Sequence, residues 1–467
     1  MTSSAVVLAA ATSAIAILSL LLSPRVRTVG SFYEGHSPAG DPPGMWALAL
    51  SQVTTWIFAR SIMNAAILGY YYGIGGALAY AAYYLSFVTG AWIVEMLRFR
   101  HGYSNVQGFL YDRFGATGTA CYNFVIGLRL VSEVFANLLV IGLIFGAAGS
   151  VSYVTAILAV GVVTLAYSMA GGLHAAIRTD VYQALLLIVV LAGLLLLTMA
   201  TGTFNFAAVF GSTPTPENPG WVLLAVALLQ VWSYPLHDPV MMDRGFITDR
   251  KSTMASFYHA AWISTLCILA FGLVGVWAGL GKLQGETLVP TLERMLGFWP
   301  VLLFNIALIV SCMSTLDSTF SSAAKLSIVD MRMAEPTVAN GRIAMVAFLA
   351  GGLLMTFFGP KDLFAAVAVS GTAAMYLTPV VIFSLWLGWR DVPVWSYVVS
   401  FAAAIGAAAL YFGYADAAYA KAMGPLFGFE HKYTKLLILC IGVLIVSNAA
   451  FVIGRLTNGQ RHVRAAG

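Results

Sequence analysis

The densest chemistry in the sequence is the run Ser311-Cys312-Met313-Ser314-Thr315-Leu316-Asp317-Ser318-Thr319-Phe320-Ser321-Ser322. It follows ten almost purely apolar residues, 301–310. A hard cation takes several oxygen ligands at once, from hydroxyls, carbonyls and carboxylates. Ser311, Ser314, Thr315 and Ser318 recur at i, i+3, i+4 and i+7, so a helix here carries them on one face. Serines can also bond back to their own helix, which is the plainer account of the same residues. Asp317 weighs against that account, because a carboxylate on an otherwise hydrocarbon-like helix is costly.

Three further groups carry charge or hydrogen-bonding capacity into apolar surroundings. In Gly171-Gly172-Leu173-His174-Ala175-Ala176-Ile177-Arg178-Thr179-Asp180-Val181-Tyr182-Gln183, paired glycines close one helix and a polar turn opens the next. Asp180 there reads either as a dipole partner at a helix start or as a ligand. Arg129 and Glu133 stand i,i+4 and can neutralise each other, or Arg129 can present its fork to a solute carboxylate. Arg60 follows Trp56 and Phe58 and can pair with Glu133, hold an anion or reach outward. Tyr70–Tyr72, Tyr83 and Tyr84 read as interfacial belt and packing. Cys121, Cys267, Cys312 and Cys440 sit in apolar runs without CxxC spacing and read as small buried hydrophobes. No nucleotide loop, zinc-protease motif or nucleophile elbow is present, so no catalytic residue is assigned.

The elements that hold these groups follow from composition. Of the 467 residues, 60% are hydrophobic and 9% are charged, with mean hydropathy +0.86. Soluble domains carry roughly 25% charge, so soluble enzymes and nucleic-acid binders are excluded. A bilayer span needs about 20 apolar residues. Thirteen such runs are readable, from 5–22 through 45–68, 221–240, 301–328 and 363–387 to 433–453. The first run lacks a basic leader and is read as a retained helix. With the N-terminus outside, sixteen of the 24 Lys and Arg fall in inside segments and six outside, while Arg60 and Arg129 fall within spans. That asymmetry places the C-terminus in the cytoplasm. The expected layout is one membrane domain: 1–44 a leading helix and loop, 45–201 a first repeat, 220–387 a second, and 393–467 two trailing helices and a tail.

Two runs look broken. The second crowds Ser51, Gln52, Thr54 and Thr55 into its middle, and the seventh carries Pro235 and Pro239, which remove two backbone donors. Counted from the second run, these are core helices one and six. Transporters made of inverted repeats place discontinuous helices at matching positions of both halves, with their sites beside them.

At these residues the chain resembles the sodium/solute symporter family, which includes proline, pantothenate and sugar symporters. The carriers of the resemblance are Gly171-Gly172-Leu173 through Arg178-Thr179-Asp180-Val181-Tyr182-Gln183, the Met313-Ser314-Thr315 stretch, Phe109–Gly115 ending Arg113-Phe114-Gly115, and the pair Pro239 and Arg244. The resemblance implies an all-α, five-plus-five inverted-repeat membrane fold of about 13 helices. It implies a sodium-coupled importer of a small polar solute and no enzyme. For the main sodium it implies the carbonyls of Leu50 and Val53 with Ser311, Ser314 and Thr315. For a second sodium it implies Asp180, Ser314, Asp317 and Ser318. The solute is expected beside Gln52, Trp56, Arg129, Trp232 and Tyr234, with Arg129 pointing to an amino acid or other carboxylate and a urea-like neutral solute as runner-up. A single chain is the expected functional unit, in the inner or plasma membrane.

Three features depart from the family pattern. Gln52 stands where many members carry Asp, Asp317 stands where a neutral residue is usual, and Ile57–Ser61 lacks the usual small residues. Two carboxylates close together leave sodium number and proton coupling open. A proton-coupled carrier and a membrane sensor domain are the competing readings, and the short tail after Gly454 weighs against the sensor.

Overall fold

The computed structural model describes residues 3–213, 215–358, 370–414, 419–421 and 431–465. Lys361 and the start of the eleventh run, 363–369, lie outside them. Among the described residues all regular structure is helical, with short 3-10 and π turns joined by loops. Twelve segments frame the site: α1 (Ser3–Leu22), α2 (Met45–Trp56), α3 (Ala59–Ala82), α4 (Val106–Phe145), α5 (Val151–Ala200), α6 (Pro219–Gln230), α7 (Pro239–Gly245), α8 (Arg250–Leu280), α9 (Phe298–Lys325), α10 (Val338–Phe358), α11 (Val394–Gly413) and α12 (Lys432–Ala465).

Eight helices among the described residues are long and apolar enough to cross a membrane. Two of them are folded pairs. Gly73 (φ 64°) turns α3 into the next span, and Gly172 (φ 54°) divides α5 into two. Only glycine takes this left-handed backbone without a Cβ clash. With three shorter apolar helices, Val6–Leu22, Pro219–Gln230 and Ser370–Trp386, the thirteen runs read from the sequence are all represented.

The helices pack as two groups. In one, α8 lies along α3 and α2, and α6 also packs on α3; in the other, α9 lies on α5 and α4, and α10 on α4 and α5. The broken helix α2–α3 runs between them, touching both α8 and α9. Without a hydrophobic drive between helices in lipid, close approach depends on small residues. Gly275 shows how close: a Cβ there would sit 2.0 Å from the Ala66 carbonyl oxygen. The loop 281–297 closes the end of this pair. Tyr70 donates to the Glu286 carbonyl (2.9 Å), and Arg294 bonds the Glu286 side chain and holds its carboxyl down at about 2.

Both predicted breaks are present. Helix α2 ends at Trp56, Ile57 (φ −85°, ψ 73°) and Phe58 leave helical geometry, and α3 starts at Ala59. Helix α6 ends at Gln230, a 3-10 turn spans Tyr234–His237, and Asp238 is extended before α7.

Alanine at an exposed helical position usually adds up to about 1 kcal/mol over glycine. Gly406 in α11 faces open space, so Gly406→Ala is expected to raise the thermal midpoint of the purified protein slightly. Gly275→Ala is expected to lower it, at a cost of about 1–3 kcal/mol for overpacking. Melts of the two variants in one detergent check the opposite signs.

Candidate functional site

Each break exposes peptide groups deep in the protein, and neighbouring helices supply partners for them. At the first break, Tyr84 donates to the Trp56 carbonyl (2.7 Å) and Ser311 to the Ile57 carbonyl. The Ala59 N–H reaches Asn137 Oδ1 (3.2 Å). At the second, Thr89 donates to the Val231 carbonyl (2.6 Å) and Tyr122 to the Leu236 carbonyl (2.7 Å). Asp238 caps α7 by accepting the Met241 N–H (3.0 Å).

The polar face of α9 meets the end of α2. Thr315 Oγ1 lies 3.5 Å from the Thr54 carbonyl oxygen and 2.8 Å from the Ser311 carbonyl oxygen. Ser311, Ser314 and Thr315 are buried there as the sequence pattern requires. The backbone partners differ from those expected. The Leu50 carbonyl accepts from Thr54 Oγ1 (3.2 Å), the Val53 carbonyl accepts the Ile57 N–H (3.0 Å), and neither accepts a hydrogen bond from α9. The carbonyls presented to α9 are those of Thr54 and Ile57, because the break falls after Trp56 and frees the last turn.

One turn further along α9, Ser314 and Ser318 both donate to Asp180, which is fully buried on α5 (Ser318 to Oδ2, 3.2 Å). Ser51 donates to the same carboxylate at 2.6 Å. Arg244 closes the cluster, with Nη2 2.7 Å from Ser318 Oγ and 3.4 Å from Asp180 Oδ2, and Nε 2.9 Å from Ser51 Oγ. A guanidinium therefore occupies the place expected for a second cation. Asp317 is not part of this group; its Oδ2 accepts from Thr179 (2.8 Å), and its Oδ1 is buried without a hydrogen-bond partner.

A second buried charge cluster ties the two breaks together through α4. Arg129 pairs with Asp238 of the second break and, at 3.1 Å, with Glu133. Glu133 also faces Arg60 of the first break at 3.5 Å. Arg129 thus holds protein carboxylates, and it lines a cavity of about 340 Å3 with His237 and Ser370 rather than the small one beside Trp56. Gln52 points to α8, where its Nε2 donates to Ser256 (3.3 Å). Trp232 is 39% exposed and packs outward on Trp92 and Trp386, away from any central space. Trp56 and Tyr234 do meet, edge to face at 5.5 Å. They wall a small central cavity of about 20 Å3 with Arg60, Tyr80, Tyr83 and Tyr84. Sequence reading assigned Tyr83 and Tyr84 to packing, and no local signal marked them, since their role comes from facing α2 across the fold.

The fold thus holds two broken helices, the first of them braced by hydroxyls of α9. Residues 39–215 match the sodium:solute symporter family model. A Drosophila melanogaster protein described as a sodium-dependent multivitamin transporter is 27% identical over 140 residues, 30% of this chain. The match spans 23% of that relative's length. A solved Na+-coupled sialic acid symporter in a substrate-bound outward-open state superposes with TM-score 0.71 at 14% identity, covering 96% of this chain and 97% of its own. A nucleobase-cation-symport-1 family transporter, solved in a closed conformation with bromovinylhydantoin bound, gives TM-score 0.56 at 16% identity, covering 93% and 95%. The chain therefore has the five-plus-five inverted-repeat fold of these two structures, and its long apolar helices make it a multi-pass membrane protein.

Removing one partner of a buried ion pair costs about 3–5 kcal/mol, because the other charge is left alone. Asp180→Asn and Arg244→Met are each expected to destabilise the protein by that order. The double variant is expected to cost clearly less than the two single costs together. Thermal melts of the four proteins measure the coupling.

Proposed function

We propose that this chain is a sodium-coupled symporter that imports a small polar solute by alternating access. The observation that carries it is the oxygen-lined contact between the open end of α2 and α9. The Thr54 and Ile57 carbonyls, the Ser311 carbonyl and the Ser314 and Thr315 hydroxyls form a ligand set suited to a small hard cation. A hydroxyl that donates its one proton keeps lone pairs for an ion. Sodium bound there bridges the two helix groups and favours the conformation in which the cavity accepts solute. The ion gradient supplies work, with about 2.3 kcal/mol per charge per 100 mV from the membrane potential.

A single sodium fits best, since the Asp180 charge is already met by Arg244. The charge asymmetry of the connections supports an inner or plasma membrane location with the N-terminus outside and the C-terminus in the cytoplasm. One chain carries both halves of the site, which supports a monomer as the working unit. A proton-coupled version is the second reading, and the unpartnered Oδ1 of Asp317 is what favours it.

Sodium that binds the native state raises its stability by mass action. Purified protein is expected to melt higher in sodium chloride than in choline chloride of equal ionic strength, with a hyperbolic dependence on sodium. In Thr315→Ala the response is expected to need roughly tenfold more sodium, about 1.4 kcal/mol. A full response surviving in Ser314→Ala/Thr315→Ala would refute the site. A response to pH that replaces the one to sodium, and disappears in Asp317→Asn, would select proton coupling.

A further inference from the structure

We infer that the solute held between the two breaks is a flat aromatic or heteroaromatic monocarboxylate, and that Arg60 binds its carboxylate. This deepens the symporter reading and rests on it.

Arg60 is 1% exposed, yet its Nε, Nη1 and Nη2 all lack a hydrogen-bond partner. Its neighbouring carboxylate, Glu133, stands 3.5 Å away and is held more closely by Arg129 at 3.1 Å. Glu133 balances the charge but leaves the donors free. A guanidinium carries five N–H donors in a planar fork that matches a carboxylate edge. Arg60 is also the second residue of α3, whose first stretch runs to the turn at Gly73, so the peptide dipoles at the start of that helix favour an anion at the same place. The first break is what brings this helix start, the Arg60 fork and the cavity to one point.

The walls select the rest of the solute. The hydroxyls of Tyr80, Tyr83 and Tyr84 are engaged by Ser61 (3.1 Å), Gln230 (2.8 Å) and the Trp56 carbonyl (2.7 Å). What they offer inward is ring surface, with Trp56 Nε1 as an unpaired donor. A polyhydroxylated solute would lose its hydration there without replacement. Ring centroids of Trp56, Tyr80, Tyr83, Tyr84 and Tyr234 stand 5.5–6.2 Å apart in edge-to-face or tilted pairs, the spacing of rings in direct contact, so a solute ring that parts them would take up the same kind of contact. A quaternary ammonium also suits aromatic walls. Here Arg129 lies 5.4 Å from the Tyr234 ring and Arg60 lies 5.0 Å from Phe58, so a third cation would meet two already in place. About 20 Å3 admits about one water. Loading therefore requires Trp56 and Tyr234 to part, and both sit at breaks.

The test uses the purified full-length chain in sodium chloride and in choline chloride. Benzoate, phenylacetate and nicotinate are probed beside benzamide, glycine betaine, proline and glucose, with the melting shift as readout. Sodium-dependent shifts with the aryl carboxylates, and none with benzamide, are expected. Arg60→Gln is expected to bind them at least roughly tenfold more weakly while its shift with sodium alone persists. A normal sodium shift with no aryl carboxylate response would overturn the inference. So would benzamide matching benzoate, or a larger shift with betaine, proline or glucose. Absence of any sodium shift in the native protein would instead remove the symporter reading beneath it. Should Arg60→Gln fail to fold, the benzoate and benzamide pair on the native chain decides the role of the carboxylate.

Discussion

An interrupted helix inside a bilayer leaves peptide groups that water cannot reach, and each unmet group costs several kcal/mol. The rest of this structure follows from that constraint. Two helices are broken at matching places, and neighbouring helices contribute polar groups at each break. Tyr84, Ser311 and Asn137 meet the first break; Thr89 and Tyr122 meet the second. Their positions are set by the need to satisfy backbone at a distance, and that need also makes the breaks reproducible rather than frayed.

Charge obeys the same logic. Arg129, Glu133, Asp238 and Arg60 alternate in sign across α4 and the two breaks, so no single charge is left alone in a low-dielectric interior. Asp180 and Arg244 do the same between α5 and α7. Buried pairs of this kind add little net stability over apolar packing. Their effect here is positional. They make the two interrupted helices depend on the same supporting residues, so the breaks are held in relation to one another.

The features legible in the sequence are those with a local signature. Span positions follow from hydropathy, the breaks from Pro235, Pro239 and the polar run 51–55, and the α9 face from its helical spacing. What was not legible depends on contacts between distant elements. The carbonyls that accept hydrogen bonds from α9 are those of Thr54 and Ile57, at an end of α2 that Tyr84, Ser311 and Asn137 hold in place. Arg129 looked like a solute ligand because its partner Asp238 lies more than a hundred residues away. Trp232 looked central because it stands next to the second break, but helix direction turns it outward. A two-residue shift to Tyr234 turns the ring inward.

The first break also gives a physical route for coupling. The Ile57 carbonyl is held by Ser311 on the side where α9 presents its oxygens, and the Trp56 carbonyl is held by Tyr84 on the side of the cavity. Adjacent peptide groups thus report to two sites. In the proposed reading, a cation that draws Ile57 toward α9 would pull on the adjacent peptide that Tyr84 holds, and Tyr84 is a wall of the cavity. A solute that displaces the Trp56 ring acts on the same hinge from the other side. Binding linkage is reciprocal, so whatever factor the ion contributes to solute affinity, the solute contributes to ion affinity. A continuous helix would separate these peptides by fixed geometry, and the two sites would have no shared moving part.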